Sequence, residues 1–234
     1  MTDADFKLIH NNFPEAPLGD RVEFFTYSQV LSEKENINVR IKKLKDYDYF
    51  KDLMKANKIY FDLDKKNNCI GVENCNTSTY HDLISAIKDY PKAKNIKEYN
   101  IDLPDKFVVS QWDAKQEYRR VSKDRQKRIV DHYKELGYDI IIIGGEAKGK
   151  LNTDLRAIVY AASKADYYVG CDSGMMHIAK MIMPTENIHV YVNLKWSSPG
   201  NKFHWENHPD KLSLSAQVRE LFNKGAKMNW CENV

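Results

Sequence analysis

The chain reads as an α/β protein made of two Rossmann-like parallel-sheet units. Short apolar runs alternate with helix-length segments from one end to the other, the pattern of parallel sheets with right-handed crossovers. A polar, lysine-rich stretch bounded by Pro91 and Pro104 interrupts that alternation and divides the 234 residues into two halves of small-domain size. The hydrophobic share, 42%, leaves material for a sizeable core, and 29% charged residues is ordinary for a soluble protein. These observations place an N-terminal unit at 1–95, a linker at 96–105 and a C-terminal unit at 106–234.

In the first unit, Phe6 to His10 is a strand and the loop from Asn11 to Gly19 follows it. Asp20, an N-cap residue type, opens a helix with Val22, Phe25, Val30 and Leu31 on its apolar side. Ile37 to Ile41 alternates as a strand, Tyr47 to Ala56 is helical, and Lys58 to Leu63 is a strand. Asn67 to Val72 is a further short strand, and Thr77-Ser78-Thr79 starts a helix that turns Leu83, Ile84 and Ile87 inward. In the second unit, Phe107 to Ser110 is a strand and Glu117 to Leu136 a long helix closed by Gly137. Asp139 to Ile143 is a continuous apolar run, the mark of a buried parallel strand. Asn152 to Ser163 is a helix, Tyr167 to Gly170 a strand, Gly174 to Ile182 a helix and Ile188 to Val192 a strand, with one more helix near Ser213 to Phe222.

Charge and cysteine use narrow the function classes. The net charge is only +3, but Arg119, Arg120, Lys123, Arg125, Lys127 and Arg128 crowd one segment. Smaller groups lie at Lys42, Lys43 and Lys45 and at Lys92, Lys94 and Lys97. The large cluster fits either a solvated helix face or a basic approach to a polyanion or a diphosphate. Cys69, Cys75, Cys171 and Cys231 show no metal-ligand spacing and no disulfide-rich pattern, which points to a reducing cytoplasm. His204 and His208 flank Trp205 without the spacing of a zinc site and stay unassigned. No apolar run approaches the ~20 residues that span a bilayer, and the polar start Met1-Thr2-Asp3-Ala4-Asp5 is not a signal peptide.

The chemistry concentrates in the run from Tyr167 to Ala179. An apolar strand ends at the small polar turn Cys171-Asp172-Ser173-Gly174, and an apolar helix starts at once. Such a turn exposes unpaired N–H groups at a helix N-terminus, where the helix dipole favours an anion such as phosphate. Asp172 and Ser173 can cap that helix, Gly174 lets a ligand approach the backbone, and His177 lies one turn in. Met175 and Met176 read as packing residues whose backbone N–H groups face the anion. His177 fits a core residue bonded to a loop as well as it fits a ligand.

The pattern Asp172-Ser173-Gly174-x-x-His177-Ile178-Ala179 is preceded by Gly144-Gly145-Glu146 and, near the start, by Leu18-Gly19-Asp20. Together they resemble the heptosyltransferase-type nucleotide-sugar glycosyltransferases, glycosyltransferase family 9. The resemblance covers roughly residues 106–192 and is thin over 1–105. It implies a GT-B fold with a reduced N-terminal unit that binds the acceptor and a C-terminal unit that binds the nucleotide sugar. It implies inverting transfer from a nucleotide-diphosphate sugar, with no cofactor and no metal. Asp20 becomes the general base that takes the proton of the attacking hydroxyl. Ser110, Gln111 and Lys115 take the polar and lysine positions that reach the diphosphate, with Arg119 and Arg120 as helpers. Glu146 becomes a ribose ligand, and Ser173 with the amides of Gly174, Met175 and Met176 holds phosphate.

Each residue also has a plainer reading: an N-cap for Asp20, a surface lysine for Lys115, a polar loop for Gly144-Gly145-Glu146. The acceptor stays open between a lipopolysaccharide-type glycan and hydroxymethylated bases of DNA, as in phage-type enzymes. A non-catalytic nucleotide or nucleic-acid binding module on the same sheet is a further reading.

Overall fold

A computed structural model describes residues 6–11, 17–62, 72–75, 90–115, 119–192 and 227–230. The expected helices at 77–87 and 213–222, most of the expected strand at 67–72, and His204 and His208 lie outside the described residues. The chain divides into two compact units, Met1–Ile96 and Lys97–Val234.

The first unit holds a four-stranded sheet in the order β3-β2-β1-β4, every pairing parallel. Its strands are β1 (Phe6–Asn11), β2 (Asn38–Lys42), β3 (Ile59–Asp62) and β4 (Val72–Cys75). Helix α1 (Leu18–Glu35) crosses from β1 to β2, and α2 (Tyr47–Met54) from β2 to β3. Strand order reverses between β1 and β4, so the segment leaving β1 opens at the switch point where ligands of such sheets bind.

Two expectations for α1 are corrected. The helix begins at Leu18 behind Pro17, whose fixed φ suits the helix start, so Asp20 lies inside the first turn and is not the cap. The helix is also not amphipathic: every residue from Val22 to Ser32 is buried, including Glu23, Thr26 and Gln29. Phe25, Tyr47 and Phe50 form its ring-packed contact with α2, with centroids 5.4 Å and 5.9 Å from Phe25.

The second unit is a five-stranded parallel sheet in the order β6-β5-β7-β8-β9. The strands are β5 (Phe107–Gln111), β6 (Asp139–Ile142), β7 (Tyr167–Gly170), β8 (Ile188–Val192) and β9 (Lys227–Trp230). Helix α3 (Lys123–Glu135) links β5 to β6; α4 (Lys150–Thr153) and α5 (Leu155–Lys164) link β6 to β7; α6 (Gly174–Ile182) links β7 to β8. Val108, Val169 and Tyr191 pack with Ile129 and Tyr133 of α3 on one face. With right-handed crossovers, α5 and α6 cover the other face. Here too the strand order reverses, between β5 and β7.

Of the long helix expected from Glu117, residues 117 and 118 lie outside the described residues, and the helix found is Lys123–Glu135. Before it, the Val121 amide donates to the Trp112 carbonyl at 3.3 Å, and Arg120 Nε donates to Ala114 O at 2.9 Å. These bonds fold the segment back along the end of β5, which a continuous helix would forbid. The helix expected from Asn152 is likewise broken at Asp154, which is extended (φ −85°, ψ 104°) and caps α5 by accepting the Arg156 amide. At the end of α3, Gly137 adopts φ +82° and closes the helix. None of the described helices is long and apolar enough to cross a membrane.

Candidate functional site

The carboxyl ends of β6, β5 and β7 carry three loops that meet at the second unit's switch point. The last ladder bonds before the loops run from the Ile143 amide to Ser110 O and from the Cys171 amide to Gln111 O, both 2.9 Å. Gly170 is fixed by this closeness, since a Cβ there would lie 2.4 Å from the Gln111 carbonyl oxygen. Gly144 is fixed too: it has φ +77°, and a Cβ would meet Gln111 Nε2 at 2.8 Å and Met175 Cγ at 2.9 Å. Gln111, Gly144 and Met175 therefore converge on one point. Ser110 faces the opposite way, on the side of Val108, and is fully buried.

The turn after β7 is built as an open helix terminus. Ser173 is the N-cap residue of α6, but its side chain makes no capping bond. Its hydroxyl lies 3.2 Å from the Tyr168 hydroxyl, which donates to Cys171 O at 2.8 Å. The first intrahelical bond runs from the His177 amide to Ser173 O. The amides of Gly174, Met175 and Met176 precede it and have no partner within the helix. Asp172 pairs with Arg119 at 3.4 Å, tying this turn to the β5–α3 loop. Met175, Met176 and His177 are buried, and His177 is engaged within the protein. Burial pushes the Cys171 thiol well above its ordinary range, and the Asp172 charge adds to that, so this cysteine is inert.

In the β5–α3 loop most charges are paired. Asp113 pairs with Arg120 at 2.6 Å, Arg119 with Asp172, and Lys123 with Glu146 at 3.2 Å. Lys115 is exposed, and it alone of the described charged residues from Asp113 to Lys123 has no partner among the described residues. Glu146, expected to meet ribose, is bound inside the protein: its Oε2 accepts the Trp112 and Asp113 amides at 3.1 and 2.9 Å. The signal for that contact was out of reach of sequence reading, because it spans 33 and 34 residues.

Four of the six residues of the basic cluster lie beside carboxylates. Arg119, Arg120, Lys123 and Lys127 each face a carboxylate, the last pairing with Asp131 at 3.9 Å.

Asp20 belongs to the first unit, half-buried in the first turn of α1 at that unit's own switch point. Its neighbour Arg21 pairs with Asp46 at 3.1 Å, while the Asp20 carboxylate has no hydrogen bond or ion pair among the described residues. Among the described residues no three His, Cys, Asp or Glu side chains gather where a metal ion would sit.

No protein-family model matches this chain, and no curated protein matches it. Its fold is similar to that of the bacterial iron-containing dodecameric glycosyltransferase TibC from enterotoxigenic E. coli H10407. That match has a TM-score of 0.60 at 13% identity, over 84% of this chain and 60% of TibC. TibC as a heptosyltransferase in complex with ADP-D-beta-D-heptose matches with a TM-score of 0.58 at 12% identity. The glycosyl transferase family 9 structure from Veillonella parvula DSM 2008 matches with a TM-score of 0.56 at 11% identity, over 99% of this chain and 89% of that one. This chain spans 60% of the length of TibC. What it shares with these heptosyltransferase-type structures is the fold, two parallel-sheet α/β units of GT-B type.

Proposed function

We propose that the chain is an inverting glycosyltransferase that moves a sugar from a nucleotide-diphosphate sugar to a hydroxyl of a glycan-type acceptor. The second unit binds the donor and the first the acceptor. One observation carries the reading. At a sheet switch point, three helix-terminal amides that the Ser173 side chain does not cap, those of Gly174, Met175 and Met176, lie on a turn that Arg119 ties to the loop bearing Lys115, which has no partner among the described residues. Amides and an ammonium group are what a leaving diphosphate requires.

In the reaction, the acceptor oxygen attacks the anomeric carbon while the bond from that carbon to the phosphate oxygen breaks. The electron pair leaves with the nucleotide diphosphate, whose charge Lys115 and the α6 amides stabilise. The hydroxyl proton passes to Asp20, a carboxylate with no hydrogen bond or ion pair among the described residues. Single displacement inverts the anomeric centre. A lysine and a helix terminus supply the charge compensation, so the reading calls for no metal ion. In support of a glycan acceptor, four of the six clustered cations already face carboxylates.

A thermal-shift panel of nucleoside diphosphates and their sugars tests this, since a ligand at 100 times its Kd stabilises by about 2.7 kcal/mol. At least one nucleoside diphosphate should raise the melting temperature. Asp20→Ala should keep that shift and lose sugar transfer. If no nucleoside diphosphate binds and no donor is consumed, the proposal is wrong. Tight, strongly salt-dependent binding to duplex DNA would move the acceptor from glycan to DNA.

A further inference from the structure

We propose that Glu146 is a positioning residue that fixes the loop carrying Lys115 for the diphosphate. This rests on the donor-site reading above.

The geometry of the carboxylate motivates it. Glu146 Oε2 accepts two consecutive backbone amides, Trp112 at 3.1 Å and Asp113 at 2.9 Å, immediately after β5 ends. Its Oε1 accepts Lys123 Nζ at 3.2 Å, on the first residue of α3. One side chain thus joins three segments: the loop after β6, the loop after β5 and the start of α3. Both its oxygens are engaged, and charge-assisted bonds of this kind are the strong ones. A lysine in the first turn of a helix opposes the helix dipole, so Lys123 is better accounted for by its contact with Glu146.

What this strut holds is the start of a braced loop. The Gln111 carbonyl makes the last β5–β7 ladder bond, to the Cys171 amide, and the chain then leaves the sheet. Glu146 captures the next two amides, Val121 bonds back to Trp112, and Arg120 holds Asp113 and Ala114. Lys115 is the next residue, exposed and without a partner among the described residues. A flexible lysine gains directed reach only if its backbone is held, and here the fixing group is Glu146.

The test compares Glu146→Ala, Glu146→Gln, Lys115→Met and the double variant Glu146→Ala/Lys115→Met by titration calorimetry. The probes are inorganic pyrophosphate, which has no ribose, and whichever of ADP, GDP or UDP the wild type binds. Glu146→Ala should weaken both probes by the same factor, about tenfold, the size of one charge-assisted contact. Glu146→Gln, whose amide oxygen can still accept the two N–H groups, should recover most of the loss. In the Lys115→Met background Glu146→Ala should cost little more, because it acts through Lys115. A Glu146→Ala variant that weakens only the nucleoside diphosphate overturns the inference. So does a double variant whose nucleoside diphosphate losses add in full. A wild type that binds no nucleoside diphosphate is a separate outcome that removes the donor-site reading itself.

Discussion

Gly144→Ala tests how tightly the three loops of the second unit are fitted together. The residue sits at φ +77°, where an L side chain costs roughly 1–2 kcal/mol. The added Cβ would also lie 2.8 Å from Gln111 Nε2 and 2.9 Å from Met175 Cγ. The first is the far end of a flexible side chain and can swing aside; the second is mid-chain on the buried first turn of α6 and must be pushed. Overpacking of this kind costs about 1–3 kcal/mol, so the sum is about 2–5 kcal/mol. At about 3 °C per kcal/mol for a unit of this size, the melting temperature should fall by roughly 6–15 °C. Gly145→Ala is the control in the same loop: a Cβ there meets nothing within 4 Å, and Gly145 is not among the positive-φ glycines. It should stay within about 0.5 kcal/mol of wild type. Differential scanning calorimetry of the two variants decides the matter. If Gly144→Ala melts as the wild type does, or if both variants fall equally, the convergence of Gln111, Gly144 and Met175 is wrong.

Two further outcomes follow from single contacts. Tyr168→Phe removes the hydroxyl that donates to Cys171 O and lies beside Ser173 Oγ; with a buried carbonyl losing that donor, chemical denaturation should show a loss of about 1–3 kcal/mol, and an unchanged midpoint would contradict the contact. Burial opposes ionisation of Asp154, but the Tyr99 hydroxyl at 2.9 Å and the Arg156 amide at 3.0 Å hold its carboxyl below the ordinary range. The folded value lies below the unfolded one, so this stabilisation is complete above about pH 4 and is lost as pH falls through the folded value. Asp154→Asn should therefore flatten the acid limb of the melting-temperature curve, and an acid limb identical to wild type would refute the assignment.

Much of the architecture was legible in the residues because its causes are local. The run from Tyr167 to Gly170 is apolar and ends at a small polar turn, and the strand and the helix Gly174–Ile182 lie where that pattern puts them. Alternation of strand and helix implied parallel pairing, and every pairing is parallel. The errors share one cause. Asp20 looked like a cap because its residue type is a capping type, but Pro17 starts the helix earlier. Glu117 to Ser122 looked helical because nothing in its composition forbids a helix, yet bonds from Val121 and Arg120 to the end of β5 fold the described part of it back.

Sequence alone determined the α/β class, most element positions and where the helix after Ser173 begins, because propensity, periodicity and turn chemistry act within a few residues. Only the tertiary structure decided which charges cancel. Arg119 meets Asp172, and Lys123 with the Trp112 and Asp113 amides meets Glu146, across separations of 23 to 53 positions. Those meetings leave Lys115 without a partner among the described residues, and Coulomb attraction and hydrogen bonding depend on distance in space, which the order of residues along the chain does not contain.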